Sequence, residues 1–381
     1  MKSAYGFKIP HEDPELTHVG SATPCGELLR RFWQPVCLSE DLKDLPKRVS
    51  ILGVSIRCWF PSIFFLSLFA FSPSARAQPL TKLLTGYSSV SGSQAVLWIA
   101  KEAGTFRRHG LEVDLIFISS GSKMTQAVIA GELKVTQVGG TAPMAARLGG
   151  ADLKIVAVTF DTLPNSIVAS REIRSIRDLK GKRVGVSRFG SNTDFVARYV
   201  LKRNGLTPDR DVAILQLGDV PSIFAALKAG SVEAGVLSHP TTATAIKMGL
   251  RELLDVAEAG VQFPTTSIIT TESFLRSQPQ MVRRYLMAVL EGIQRYKADE
   301  AFAKKVIGEY ARIQDPAVLD ETYRRYAPKI PKIPYPTSGS IQQGLENLPD
   351  PKARKARPEE FYDDSILRAL EREGFIDRLY R

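Results

Sequence analysis

Five short turns in this chain are crowded with small, hydrogen-bonding residues: Ser88-Ser89-Val90-Ser91-Gly92-Ser93, Ser119-Ser120-Gly121-Ser122, Gly139-Gly140-Thr141, Arg188-Phe189-Gly190-Ser191-Asn192-Thr193 and Ser238-His239-Pro240-Thr241-Thr242. Each follows a short apolar run and precedes a segment with helical spacing. Free backbone N–H groups at such a strand-to-helix turn bind ligands, and the helix start favours an anion. Helix capping by Ser, Thr and Asn explains any one turn alone. Five in register with five strand ends describe a cleft rich in neutral donors.

Candidate contacts follow turn by turn. Ser88, Ser89 and Ser91 come from the first, Ser120 and Gly121 from the second, Gly140 and Thr141 from the third. Arg188 offers a planar fork that pairs with a carboxylate or sulfonate. Gly190, Ser191, Asn192 and Thr193 add amide and hydroxyl donors beside it. His239 holds the same relative position after its strand as Gly140. Tyr87 and Phe189 are candidate stacking walls, whereas Trp98 and Phe106 lie in an apolar helical stripe and belong to the core.

Catalytic chemistry finds little support. The only histidines are His11, His18, His109 and His239, and none stands at a metal-ligand spacing from Cys, Asp or Glu. There is no G-x-S-x-G elbow and no phosphate-binding P-loop. The expectation is a protein with no catalytic residue, no metal and no cofactor. The net charge of +11 is spread among Lys180, Lys182 and Arg183, Arg283 and Arg284, and the Lys352 to Arg357 run. A nucleic-acid footprint is a stripe with interleaved aromatics, so nucleic acid is not expected as a partner, though anionic small ligands are favoured.

The elements that must position these turns alternate. The spacing predicts strands over Lys82–Gly86, Leu111–Ile118, Val135–Val138, Leu153–Val158, Ser166–Ser170, Arg183–Val186, Val212–Gln216 and Val236–Leu237. Helices are predicted over Gln94–Ala103, Lys123–Ala130, Ala142–Leu148, Thr193–Lys202, Ser222–Lys228 and Thr242–Met248. Such alternation argues for α/β architecture with parallel sheets covered on both faces. Gly131, Gly205 and Gly230 close helices. A helix end, Ala-Gly, short strand and small turn recur at residues 127–139 and 226–238, which suggests two lobes of like construction.

Several stretches carry a resemblance: WIAKEAGTFRRHGLEVDLI (Trp98–Ile116), DLKGKRVGVSRFGSNTDFVARYVLKRNGL (Asp178–Leu206), AALKAGSVEAGVLSHP (Ala225–Pro240) and FYDDSILRALEREGFID (Phe361–Asp377). In that order they resemble the solute-binding proteins of ATP-binding-cassette importers, in the group of alkanesulfonate, taurine, nitrate and thiamine-precursor binders. The resemblance implies a two-lobe periplasmic-binding-protein (type II) fold with a ligand cleft between the lobes. It places crossovers near Phe160–Pro164 and Gln262–Thr265, with residues 78–163 and 265–381 in lobe one and 164–264 in lobe two. It further implies a small, anionic organic ligand, closure of the lobes around it, and a permease and ATPase at the inner membrane as partners of a monomer. A ligand-sensing module for a signalling partner is the alternative. Some members make the thiamine pyrimidine with their own His and Cys residues, and the lack of Cys after residue 58 weighs against that activity.

The region before residue 78 reads differently. Arg57, the apolar run Cys58–Phe71 and the Ala75-Arg76-Ala77 end follow the layout of a secretory signal, which predicts a periplasmic, exported protein cleaved before Gln78. The run is short for a membrane span and is interrupted by Pro61. Ahead of it, ELTHVGSATPCGELLRRFWQPVCLSEDLKDLPKRVSILG (Glu15–Gly53) resembles the beginning of Rieske-type aromatic-ring oxygenase large subunits. The iron–sulfur ligands of that family do not follow Cys25 or Cys37, so no oxygenase assembles from residues 1–53. A gene fusion or a misassigned start, with initiation near Val54, fits this leader best; the alternative is an expressed fusion in which the apolar run stays as an uncleaved anchor or a buried helix.

Overall fold

Runs of Val, Ile and Leu separated by helix-period segments fold here into two lobes of strands and helices. A computed structural model describes residues 79–381, so the signal-like segment and the oxygenase-like leader lie outside the described residues. Ten strands form: β1 (Thr81–Tyr87), β2 (Leu111–Phe117), β3 (Val135–Val138), β4 (Leu153–Thr162), β5 (Asn165–Ala169), β6 (Arg183–Val186), β7 (Ala213–Gln216), β8 (Ala234–Ser238), β9 (Arg251–Asp255) and β10 (Gln262–Thr271). Helices α1 (Ala95–Glu102), α2 (Thr105–Arg108), α3 (Gly121–Ile129), α4 (Thr141–Leu148), α5 (Asn192–Arg203), α6 (Val220–Lys228) and α7 (Thr241–Lys247) alternate with them. The last third is helical: α8 (Glu272–Ser277), α9 (Pro279–Ala298), α10 (Glu300–Ala311), α11 (Pro316–Tyr326), α12 (Ser338–Glu346), α13 (Ser365–Arg372) and α14 (Phe375–Leu379).

The first lobe holds a parallel pair, β1 with β2, and a three-stranded sheet ordered β3-β10-β4. Threonine side chains stitch the two together in place of a backbone ladder. Thr85 Oγ1 donates to the Val135 carbonyl at 2.7 Å, and Thr136 Oγ1 accepts the Gly86 amide at 3.1 Å while donating to its carbonyl at 2.9 Å. Gly86 also lets β1 sit close to β2, since a Cβ there would lie 2.7 Å from the Ile116 carbonyl oxygen. The second lobe holds a five-stranded sheet ordered β7-β6-β8-β5-β9.

The expectation of parallel sheets needs correction. β5 runs antiparallel to β8 and β9, and β10 runs antiparallel to β3 and β4. Both are the strands at the passages between the lobes: β5 follows β4 of the first lobe after only Leu163 and Pro164, and β10 follows β9 of the second, so each enters its sheet from the opposite lobe. Spacing predicts neither β9 nor β10, although the crossover that the resemblance places near Gln262–Thr265 falls at the start of β10. β10 carries Pro264 and five Thr or Ser residues, a composition that hides a strand, and two of its hydroxyls are bonded internally: Thr270 Oγ1 donates to the Lys134 carbonyl at 2.7 Å, and Ser267 Oγ to that of Pro264 at 3.0 Å.

Amphipathic α9, twenty residues long, packs along α1 and covers the first lobe's core. Trp98 is fully buried there and stacks on Tyr310 at 5.1 Å between ring centroids; Phe106 is 2% exposed beside Tyr285. Burying large rings in this way contributes several kcal/mol each. In the second lobe Val184, Val186, Val196, Val200 and Val236 fill the space between sheet and α5. Gly131, Gly205 and Gly230 follow their helices with φ near +75°, the left-handed closure their positions require.

Candidate functional site

Where β1, β2, β3, β6, β7 and β8 end, their following turns converge on a narrow cavity of about 50 Å³ walled by both lobes. From the first lobe come Ser88, Ser89, Ser91, Gln94, Ser120 and Gly121. From the second come Asn165, Ser187, Ser191, Asn192, Thr193 and Asp219, while Thr265 and Thr266 line it from the returning strand β10. Room for a handful of water-sized particles makes this a nearly closed cleft suited to a compact polar group.

Each wall is pre-arranged. In the first lobe the Gln94 side chain accepts the Ser88 and Ser89 amides at 2.9 and 3.2 Å and donates to Ser88 Oγ at 3.1 Å, which fixes the first turn. Gln94 is itself held by Gln137, whose Nε2 donates to the Gln94 carbonyl at 2.8 Å. Ser120 sits at φ 73° and ψ 146°, an uncommon conformation for a residue with a side chain, and it opens α3 beside the cavity. Backbone strain of this kind costs about 1–3 kcal/mol and persists only where surrounding contacts enforce it.

In the second lobe Ser187, Ser191 and Thr193 form a triangle of hydroxyls with edges of 2.8 to 2.9 Å. Ser191 Oγ donates to the Arg188 carbonyl, so two hydroxyl protons remain for the triangle or a ligand. The amides of Gly121 and Ser122 at the start of α3, and of Asn192 and Thr193 at the start of α5, have no partner among the described residues. Asn165 Oδ1, Thr265 Oγ1 and Thr266 Oγ1 are buried and likewise without a partner. Buried polar groups left unpaired cost about 1–3 kcal/mol each, and a bound molecule that meets them recovers that cost.

Charge at the cavity is sparse. Asp219 is the one ionisable residue among those lining it, and its Oδ1 caps α6 by accepting the Ser222 amide at 2.8 Å. An anion here would therefore be met by amides and hydroxyls at two helix starts, where the macrodipole adds about 0.3–1 kcal/mol apiece.

Of the residues singled out from sequence, Ser88, Ser89, Ser91, Ser120, Gly121, Ser191, Asn192 and Thr193 come together in this cavity. Gly140, Thr141, Arg188, Gly190 and His239 do not line it. Arg188 stands one residue past Ser187, and the alternation of side chains at a strand end gives the cavity the serine. The Gly140 amide donates to the Pro264 carbonyl at 3.0 Å, and Thr141 bonds Asn192 rather than the cavity. Tyr87 packs against Trp98, Phe117 and Tyr310, and Phe189 lies 46% exposed on a neighbouring groove. Sequence reasoning missed Gln94, Asn165, Ser187, Asp219, Thr265 and Thr266. A signal existed for Ser187 and Asn165, each a polar residue abutting a buried apolar strand run.

His239 serves the join between lobes. Its backbone amide donates to Tyr326 Oη at 3.1 Å, its carbonyl accepts the Gly92 amide at 3.0 Å, and Tyr326 Oη donates in turn to the Pro164 carbonyl at 3.2 Å. The ring is 1% exposed, and neither nitrogen has a partner among the described residues. Burial, with Arg325 adding repulsion, pushes its pKa down to about 4. An imidazole held neutral in the fold but free to protonate when unfolded leaves stability intact above about pH 6.5 and erodes it as pH falls toward 4. The full effect is about 3 kcal/mol. Urea midpoints measured from pH 7.5 to 4 should fall more steeply for the wild type than for His239→Leu; parallel profiles would show that the buried ring does not govern this window.

The chain belongs to the NMT1/THI5-like family, whose model matches residues 92–301. The binding protein YtlA of Bacillus subtilis (strain 168) is 24% identical over 277 residues, 70% of this chain and 80% of that protein. Among solved structures, the alkanesulfonate-binding protein SsuA from Xanthomonas axonopodis pv. citri bound to MOPS superposes with a TM-score of 0.62 at 20% identity, covering 71% of this chain and 92% of that one. The periplasmic nitrate-binding protein NrtA from Synechocystis PCC 6803 gives a TM-score of 0.64 at 15% identity, covering 77% and 89%. These likenesses establish the periplasmic-binding-protein fold. A 51-residue stretch is 55% identical to the phenoxybenzoate dioxygenase alpha subunit of Ectopseudomonas oleovorans, covering 13% of this chain and 12% of that subunit, in keeping with the oxygenase-like leader.

Proposed function

We infer that this protein is an extracytoplasmic solute-binding protein that captures one small organic anion between its lobes and delivers it to the permease and ATPase of an ATP-binding-cassette importer, without catalysis. The observation that carries the reading is the cavity itself: Gly121 at the start of α3 and Asn192 and Thr193 at the start of α5, whose amides are unpartnered among the described residues, line the same narrow space from opposite lobes. A ligand touching both stabilises the closed arrangement by whatever it gains from the second contact. Lobe two is taken as residues 164–264, lobe one as 78–163 with 265–381, and the acting species as a monomer. The signal-like segment before Gln78 supplies export to the periplasm. The alkanesulfonate and nitrate of the two structural neighbours are anions, which agrees with helix starts as the binding groups. Asn165 Oδ1 and the carboxylate of Asp219 add acceptors, so a ligand with a donor group besides its anionic end fits best.

A thermal-shift screen of the full chain against short sulfonates, carboxylates, nitrate and pyrimidines tests this. A ligand at one hundred times its Kd adds about 2.7 kcal/mol and raises the Tm by several degrees. Thr193→Val should remove most of that shift, and Arg188→Ala should retain it because Arg188 does not line the cavity. Shifts lost in Arg188→Ala and kept in Thr193→Val would refute this location.

A further inference from the structure

We propose that the open groove beside the cleft is a second binding site, for a planar aromatic anion such as an aryl sulfonate or aryl carboxylate. The groove measures about 960 Å³ and runs between α5 of the second lobe and the α12 end with its following loop, residues 346–354, of the first. That volume is within the range of small-molecule sites, roughly 300–1,000 Å³. Thr141 and Gly190 line it too, and Thr141 bonds the side chain of Asn192, a cavity residue that also bonds the Thr265 carbonyl, so the groove adjoins the cavity while sharing none of its lining residues.

Its composition is opposite to that of the cavity. Phe189, Phe195 and Tyr199 give an aromatic side, with Phe195 and Tyr199 stacked at 6.0 Å and 13° between planes. Leu348, Pro349 and Pro351 face them from the other lobe. Arg198 lies 5.5 Å from the Phe189 ring centre and Arg203 5.3 Å from that of Tyr199, which makes a layered surface of guanidinium and ring. Flat guanidinium groups stack on aromatic ligands and attract their negative substituents together. Arg198 is neutralised by Asp194 and Asp209, but Lys202, Arg203 and Arg354 have no carboxylate partner among the described residues, against Glu346 as the remaining acid of the groove. Aromatic faces, apolar prolines and three unpaired cations, in a lining where Arg198, Lys202, Arg203 and Arg354 stand against Asp194 and Glu346, select an aromatic ring that carries negative charge. A purely aliphatic anion would use the cations alone, and a neutral aromatic the rings alone.

The probe is 2-naphthalenesulfonate, titrated calorimetrically into the full chain. Binding is expected, weakened at least tenfold in the Lys202→Glu, Arg354→Glu double variant and unchanged in Thr193→Val. Both altered positions are exposed, and an unaltered Tm checks that the variant folds. Equal affinity for cyclohexanesulfonate would overturn the aromatic part of the assignment. Absence of binding, indifference to the double charge reversal, or loss in Thr193→Val would overturn the site, the last by placing the probe in the cavity. Failure of the cleft reading shows up separately, as absence of any Thr193-dependent ligand.

Discussion

Asn192→Ala should loosen the cleft even before any ligand is added. Asn192 leads α5 in the second lobe, and its side chain reaches across: Oδ1 accepts Thr141 Oγ1 at 2.7 Å and the Thr141 amide at 3.3 Å, while Nδ2 donates to the Thr265 carbonyl at 2.8 Å. Hydrogen bonds of this kind contribute about 1 kcal/mol each, so their loss shifts the balance between closed and open arrangements by about 2–3 kcal/mol. A ligand that needs the closed cleft would then bind up to about thirtyfold to 150-fold more weakly, the factor that such a free energy sets. Amide hydrogen exchange reads the effect directly. Protection should fall at Gly140 and Thr141 and at Asp194 and Phe195, whose amides are hydrogen-bonded, while the core of β6 and β8 keeps its own. Asn192→Asp is the sharper control, since it preserves the acceptor for Thr141 but sets a carboxylate oxygen against the Thr265 carbonyl. Unchanged exchange and unchanged ligand affinity in both variants would reduce this clasp to a spectator.

That clasp was only half legible in the sequence. Ser191, Asn192 and Thr193 stand out because small polar residues between a strand and a helix are N-cap chemistry, and Ser191 does accept the Asp194 amide as cap of α5. What Asn192 touches depends on β10, which returns from the second lobe alongside α4 and brings the Thr265 carbonyl within reach. No local pattern announces that strand, because its hydroxyl-rich run breaks the apolar alternation from which strands are read. Thr266 is therefore a cavity residue that local patterning cannot find. Arg188 shows the converse. Charge and position marked it as an anion partner, but which of two adjacent residues at a strand end faces inward is fixed by pleat, and Ser187 has that place. The α/β alternation, by contrast, is readable in the second lobe up to α7, where β6 spans Arg183–Val186 as spacing predicts and α5 runs Asn192–Arg203, one residue beyond each predicted end.

Gly140→Ala should be the most damaging single methyl in the site region. Gly140 precedes α4 with φ −67°, an ordinary backbone conformation, so left-handed freedom is not the reason for glycine here. Space is. A Cβ at this position would lie 2.2 Å from the Pro264 carbonyl oxygen and 2.9 Å from its Cγ, about 1 Å inside normal contact. The obstacle is backbone of the central strand β10, already held by the Gly140 amide at 3.0 Å, and it has no flexible end to swing away. Overpacking of this kind typically costs 1–3 kcal/mol and more where backbone must move, so a loss of about 3 kcal/mol or more is expected in urea denaturation. Gly104→Ala separates the two possible origins. Gly104 has φ +68° with nothing within 4 Å of an added Cβ, so only conformational cost applies there, about 1 kcal/mol. If both variants lose the same small amount, the approach of α4 to β10 is not tight. If Gly140→Ala loses far more and also weakens cavity ligands, the strain has been passed through Thr141 to Asn192, and the start of α4 sets the distance at which the two lobes meet.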